Sequence, residues 1–361
     1  LYEWLIGRAS SDLDFQQRVL DVVMSGDLFD TNSGPIGLAV GFQRRVDDAK
    51  VIYDSALNTG NLDFVFGATD WGGKLTTTAV FTEIGIPIGD MLEVNLAGRF
   101  EDFDELDEDT FDPKITVLFR PVDSLTLRAS AGSSFRAPSL QQTFGFLTTV
   151  DNQADIVGGS TFKPSISSGN PNLKPETADT INFGLSWIPQ DGPLEGLSVD
   201  IDYYTYEYED IVTRESDVNL LAADNAAIQA YVDANPGTSL ADAASLADRN
   251  FEQIIRNSSG ILLRILPDFS NADSSDVEGI DLTASYSFDT DWGNWRVGVQ
   301  AAHVLKYDIE IDGETIDAVG NYNFTNTVAR PLPEWKINGT LSWSMDNHRV
   351  FVMARYIDEV D

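Results

Sequence analysis

The chain has 361 residues, 42% of them hydrophobic, and its 58 acidic against 23 basic residues give a net charge of −35 at pH 7. Such a charge repels polyanions, so we predict no nucleic-acid partner. Because the chain has no cysteine and only two histidines, disulfides, thiolate metal sites and histidine-rich metal clusters are excluded, and no cofactor is predicted.

Strict alternation of apolar and polar residues is the main regularity along the chain. It predicts strands with one apolar face, and no helix produces it. In chain order, segments of this kind begin near Ile36, Lys74, Leu92, Pro113, Ser124, Thr180, Leu197, Ile280, Asn294, Ile337 and Arg349. With a weaker segment at residues 23–29, they predict an all-β chain of about eleven or twelve strands.

Short and long links alternate between these strands. The tight links lie at residues 89–90, 121–123, 189–193, 289–293 and 346–347, and the long ones at 47–73, 104–112, 137–175, 213–276 and 310–333. In a meander this order puts short turns on one side and long loops on the other, as in outer-membrane barrels. Most strands also have roughly ten residues or more, enough to cross a bilayer. We therefore predict an antiparallel up-and-down transmembrane β-barrel, present in part; a soluble sandwich is the weaker alternative.

The two faces of the predicted strands differ in chemistry. The polar face contains small residues together with charges such as Arg99, Arg128 and Asp202, which would be costly in hydrocarbon. This face should therefore line a wet lumen, while the apolar face contacts outer-membrane lipid. Aromatic residues suited to the membrane interfaces are Trp187, Trp295, Trp335, Trp343, Tyr203 and Tyr356.

Two segments depart from the strand pattern. Residues 213–260 form a loop insertion rich in Ala, Asp and Leu, with short helices predicted at residues 225–234 and 240–256. The acidic stretch at residues 101–109 lacks the ligand spacing of an EF-hand, so we interpret it as a solvated loop rather than a Ca²⁺ site.

Four stretches resemble barrel motifs of TonB-dependent receptors. They are GPIGLAVGFQRR at 34–45, LTLRASAGSSFRAPS at 125–139, NPNLKPETADTINFGLSWI at 170–188 and VEGIDLTASYSF at 277–288. Because the similarity spans nearly the whole chain, residues 1–361 are interpreted as a barrel region of this kind. We expect the chain to lack the plug domain and the last strands of such receptors.

The resemblance implies a receptor in the cell outer membrane. It would bind a scarce, bulky ligand such as a ferric siderophore, cobalamin or a glycan at its extracellular loops, and import it with energy from the TonB complex. Its implied partners are lipid, its own plug domain, the TonB complex and the small-molecule ligand. No catalytic motif is present, so no enzymatic activity is predicted.

Two groups of residues are candidates for the site. Arg136 and Glu176 share the lumen face at the long-loop ends of neighbouring strands, so we expect them to pair and to pin the loop at 137–175. The alternative is that each faces water. Candidate ligand-stacking residues in the long loops are Phe144, Phe146, Phe162, Tyr322 and Phe324, although loop self-packing is the simpler interpretation.

Two other functions remain open from the sequence. A passive porin would have the same wall without energy coupling, and a plug-encoding region in the full gene would exclude it. A soluble secreted adhesin or carbohydrate binder would need no detergent for extraction.

Overall fold

The computed structural model describes residues 9–60, 67–246, 252–311, 314–321 and 332–360. The strands in these ranges are β1 (Ser11–Thr31), β2 (Gly34–Tyr53), β3 (Trp71–Ile88), β4 (Leu92–Phe103), β5 (Glu108–Val122), β6 (Leu125–Arg136), β7 (Phe146–Asp155), β8 (Gly159–Ser168), β9 (Glu176–Trp187), β10 (Leu197–Arg214), β11 (Ile254–Arg256), β12 (Leu262–Ile265), β13 (Phe269–Thr290), β14 (Gly293–Ile311), β15 (Glu314–Asp317), β16 (Trp335–Met345) and β17 (His348–Ile357). The helices are α1 (Ser55–Asn58), α2 (Leu140–Phe144), α3 (Asp217–Ala234) and α4 (Leu240–Leu246), with a 3₁₀ turn at Gly192–Leu194. None of the described helices has the length and apolar character needed to cross a membrane.

Twelve of the strands form one antiparallel meander, which confirms the predicted up-and-down sheet. Its order is β1-β2-β3-β4-β5-β6-β9-β10-β13-β14-β16-β17, and the short β15 pairs with β14. Within the described residues, β1 and β17 each pair on one side only, so the sheet is open between them.

The links between strands are short at one end of the sheet and mostly long at the other, as the sequence predicts. At one end the strands are joined by tight turns, such as residues 32–33, 123–124, 291–292 and 346–347. At the other end lie the long links 54–70, 137–175 and 215–268. The link between β4 and β5 is the exception, because β5 begins at Glu108 and leaves a turn of residues 104–107 where a longer loop was predicted.

The apolar face of the sheet is uncovered, which agrees with contact to lipid. On β9, Phe183 is 56% exposed and Ile181 43% exposed, and on the neighbouring β10 Ile201 is 41% exposed. A continuous exposed apolar surface of this kind is rare on soluble monomers and is expected on the outside of a membrane barrel.

Aromatic side chains mark the two edges of this apolar belt. Trp295 and Trp343 lie side by side near the short-turn end, with 6.2 Å between ring centroids. Trp335 stacks on His303 near the other edge, at 3.8 Å. Trp335 and Trp343 are eight residues apart on β16, about 26 Å along the strand at about 3.3 Å per residue. With the usual tilt of about 40°, this matches an apolar band roughly 20–25 Å tall.

Charges on the lumen face pair across an intervening glycine. Arg128 of β6 and Asp202 of β10 lie on either side of Gly184 of β9, and two hydrogen bonds of 2.9 and 2.6 Å join them. A Cβ atom at Gly184 would overlap both side chains. Glycine at this position therefore allows the two charges to satisfy each other over the middle strand.

The longest strands continue beyond the apolar belt towards the long-loop end. β13 has 22 residues, β1 has 21 and β2 has 20. On β10 the outward residues change from Ile201 and Tyr203 to Thr205, Glu207 and Glu209, which are polar. The change marks where the wall leaves the hydrocarbon, because buried carboxylates are costly there.

The buried apolar clusters of the described residues include two at the long-loop end of the sheet, in the loops and at the ends of the strands. One cluster contains Leu221, Ile254, Leu262 and Ile265, and another contains Leu75, Phe103 and Leu106. Phe103 and Leu106 belong to the acidic stretch at 101–109, and Glu101 is only 5% exposed. The prediction that this stretch is a solvated loop was therefore wrong for part of it: it is a hairpin with a packed apolar side.

Among the described residues, no group of three or more His, Cys, Asp or Glu could hold a metal ion.

The insertion at residues 213–260 has a different internal structure from the one expected. α3 starts eight residues before the predicted helix, because Ser216 caps its N-terminus by accepting a hydrogen bond from the backbone N–H of Asn219. The helix ends at Ala234, as predicted. The second predicted helix was extended too far: α4 ends at Leu246, and residues 254–256 form β11. The β-branched pair Ile254-Ile255 favours this strand.

Candidate functional site at the long-loop end

The structure brings Arg136 and Glu176 together at the mouth of the lumen. They lie directly opposite each other on β6 and β9, and both contacts between the guanidinium and the carboxylate are 2.5 Å long. A carboxylate oxygen of Glu176 also accepts a 2.8 Å hydrogen bond from the backbone N–H of Val212 on β10. Glu176 thus joins three strands at the points where both long loops leave the wall.

The two long loops, 137–175 and 215–268, fold into one unit, which we call the loop body. It consists of the sheet β11-β12-β8-β7 with α3 and α4. At its centre Arg256 contacts Asp155 and Asp224, each at 2.8 Å. All three side chains are at most 2% exposed. One buried cation therefore links the β7–β8 hairpin, α3 and β11.

Further hydrogen bonds fix the loop body to the barrel wall. Arg214, the last residue of β10, donates 2.6 Å hydrogen bonds to the hydroxyls of Ser165 and Ser167 on β8. Burial lowers the pKa of Arg214 from its usual value, while Asp217 and Asp151 act in the opposite direction. Because the guanidinium stays charged far above neutral pH, these are charge-assisted hydrogen bonds.

Asparagine side chains add a second set of links between the loop body and β13. The amide of Asn271 donates to the carbonyl of Lys174 at 2.9 Å and accepts from the N–H of the same residue at 2.9 Å. Asn170 donates to the carbonyl of Phe269 at 2.8 Å. The ends of both loops are thereby held beside each other.

A cavity of about 520 Å³ opens on the lumen face next to the Arg136–Glu176 pair. Its other lining residues come from β6, β9, β10, β13 and β14, together with Leu332, and include Tyr208, Ser275 and Tyr307. This volume falls in the range of small-molecule pockets, and its lining is mainly apolar with a few polar groups.

Of the aromatic residues proposed from the sequence, the three that the structure describes do not line this cavity. Phe144, the last residue of α2, packs against Gly73 of β3, where a Cβ would overlap its ring. Phe146 opens β7 and is half-buried, and Phe162 on β8 is 53% exposed. Tyr322 and Phe324 lie outside the described residues.

Sequence reasoning missed the tyrosines of the lumen face. Tyr204, Tyr206 and Tyr208 follow Asp200 and Asp202 at alternate positions of β10, on the same face as the pair with Arg128. The period of two that identified the strand also assigns them to the lumen. That signal was available in the sequence.

The comparison with protein families decides where the chain belongs. A family model described as TonB dependent receptor-like, beta-barrel matches residues 5–361. The chain belongs to the TonB-dependent receptor β-barrel family. As a member of that family, it is an outer-membrane protein.

Solved structures show the same fold. A variant of the ferric enterobactin receptor PfeA from Pseudomonas aeruginosa, in complex with enterobactin, is 14% identical with a TM-score of 0.61, over 96% of this chain and 42% of that one. The siderophore receptor PirA from Acinetobacter baumannii is 14% identical with a TM-score of 0.58, over 97% and 44%. PirA from Pseudomonas aeruginosa is 15% identical with a TM-score of 0.57, over 96% and 50%. No curated protein sequence matches the chain.

The chain therefore spans about two fifths to half of the length of these receptors. At this level of identity the likeness concerns the fold alone.

Proposed function

We propose that the full-length protein is an outer-membrane receptor that binds a scarce, bulky ligand at its long-loop end and imports it with energy relayed by the TonB complex. The ligand would be a metal chelate such as a ferric siderophore, cobalamin, or a glycan. The observation that carries this proposal is the loop body: two long loops of a receptor-family barrel are folded together and fixed to the wall beside a cavity. Loops placed by a rigid scaffold are where binding sites occur most often.

The proposal assigns roles to particular segments. The insertion at residues 213–260 and the hairpin β7–β8 would form the ligand-facing surface, with Phe144, Phe146, Phe162, Tyr322 and Phe324 available for stacking. The pair of Arg136 and Glu176 would hold the loop ends in place.

Membership of the TonB-dependent receptor family supports energy coupling as part of this proposal. A plug domain of the same protein would close the lumen, and the TonB complex of the inner membrane would act on it. The enterobactin bound by the PfeA variant is an example of a ligand of a related receptor.

Growth experiments with the full-length gene test the proposal. A deletion strain would be grown on defined iron, cobalamin and glycan sources, and then complemented in cells with and without an intact TonB system. We expect growth on one of these sources to require both the gene and TonB. Growth that requires the gene but not TonB would indicate a passive porin, and no dependence on any source would refute the ligand classes.

A further inference from the structure

Three tyrosines form a ladder on the lumen face of β10. The ring centroids of Tyr204 and Tyr206 are 5.6 Å apart, and those of Tyr206 and Tyr208 are 6.2 Å apart with an interplanar angle of 21°. These distances lie in the range of aromatic pairs. The three rings therefore form one continuous aromatic surface along the wall.

The neighbouring strand leaves room for this surface. Tyr204 lies over Gly279 of β13, where a Cβ would overlap the phenol ring and its hydroxyl. Tyr208, at the other end of the ladder, is 37% exposed and lines the cavity beside Arg136 and Glu176. The ladder thus leads from the cavity down the lumen wall.

A buried hydroxyl without a partner also lines this cavity. Ser275 of β13, directly opposite Tyr208, is 7% exposed, and its Oγ makes no hydrogen bond within the part of the chain that the structure describes. A buried polar atom without a partner costs roughly 1–3 kcal/mol. A ligand with hydroxyl groups would supply the missing partner at this position.

The charge of the cavity limits what it can hold. Among the described residues that line it, Arg136 and Glu176 are the only charged ones, and they neutralise each other. An anionic ligand such as a ferric catecholate would find no free cation among the described lining residues, and an unpaired buried charge is strongly unfavourable. The cavity is therefore suited to a neutral ligand.

We propose that the tyrosine ladder and the cavity above it form a subsite for a neutral, hydroxylated ring with one apolar face, which is the chemistry of a sugar pyranose. The apolar face of the ring stacks on Tyr206 and Tyr208, and a ring hydroxyl pairs with Ser275. This inference rests on the proposed import function and narrows its ligand to a neutral glycan.

Direct binding to the purified full-length receptor tests the subsite. The probes are an array of neutral oligosaccharides and, separately, ferric enterobactin. We expect at least one neutral oligosaccharide to bind and Tyr206→Ala and Tyr208→Ala each to weaken that binding about tenfold. Tyr206→Phe keeps the ring and should retain most of the affinity, and Ser275→Ala should weaken binding severalfold.

Tyr203→Ala is the matched control, because Tyr203 lies on the same strand but on the lipid face. Its binding should equal that of the unmodified receptor once correctly folded protein is compared. Equal affinity in Tyr206→Ala, binding of ferric enterobactin alone, or binding of neither probe would each overturn the subsite. If TonB-dependent growth on another source persists in those cases, the import function stands and only its glycan ligand is refuted.

Discussion

Replacement of Arg256 by methionine is expected to unfold the loop body locally while leaving the barrel intact. The guanidinium donates to Asp155 at 2.8 Å, to Asp224 at 2.8 and 2.9 Å, and to the carbonyl of Gly260 at 2.9 Å. The two carboxylates are 1% and 0% exposed, so the variant would bury both without this counter-charge.

The size of the effect follows from this environment. Breaking a buried ion pair by removing one partner costs about 3–5 kcal/mol. Asp155 keeps a 3.0 Å hydrogen bond from the N–H of Gly158, which places the loss near the lower value, about 3 kcal/mol. Because about 1.4 kcal/mol corresponds to a factor of ten, local opening should become about a hundredfold more frequent.

Hydrogen–deuterium exchange of the full-length receptor measures this opening peptide by peptide. Peptides from β7, β8 and α3 should lose protection in Arg256→Met, while peptides from β4 and β9 should not change. Arg264→Met is the matched control, since Arg264 lies on β12 of the same sheet and is exposed. Unchanged protection in Arg256→Met would refute the view that this buried cation holds the loops together.

Three further predictions concern the wall and its turns. Phe183→Arg should impair folding into lipid vesicles by about 2–4 kcal/mol, whereas Asn182→Arg on the lumen face should fold normally; equal folding yields would contradict the lipid-facing assignment. Gly184→Ala should lower the stability of the barrel by about 1 kcal/mol, because the added Cβ would separate Arg128 from Asp202. Gly339→Ala is the control and should leave the stability unchanged, because there is open space around Gly339. The measurement is the temperature at which the barrel loses its compact electrophoretic mobility. Burial raises the pKa of Glu105, but hydrogen bonds from Thr76 and Lys74 outweigh this effect and hold the pKa below its usual value. The ionised Glu105 should therefore stabilise the β4–β5 turn at neutral pH, and this stabilisation should be lost as the pH falls through the lowered pKa. Glu105→Gln should remove that acid dependence from the exchange of β4–β5 peptides.

The strands of the barrel wall could be predicted from the sequence because the same alternation of apolar and polar residues recurs from strand to strand. Each lipid-facing strand alternates between apolar and polar residues, and the meander turns contain residues such as Asp346, which adopts a φ of 49°. β1 was predicted only in part, at residues 23–29, although it extends over Ser11–Thr31. Its first half carries Asp12, Asp14 and Arg18 on the outward face, so the apolar alternation fails where the strand stands outside the hydrocarbon.

The loop body could not be predicted in the same way. β7 and β8 pair with each other locally, but β8 also pairs with β12 through Ser165 and Ile265, which are 100 residues apart in the chain. Strand pairing at such separation leaves no local pattern, and the Arg256 contacts depend on it. The sequence did allow the prediction that Arg136 and Glu176 lie opposite each other. Alternation along each strand shows which face a side chain occupies, and the loop that joins the two strands shows which strand ends are adjacent.

The length of β13 sets how far the structure rises above the membrane. Its 22 residues extend about 73 Å at about 3.3 Å per residue, or about 55 Å along the membrane normal at a tilt of about 40°. Because the hydrocarbon layer is about 25–30 Å thick, roughly 25–30 Å of the barrel wall extends beyond the membrane on the extracellular side. A molecule that approaches from outside the cell therefore reaches the extracellular end of the barrel wall through water and does not cross lipid.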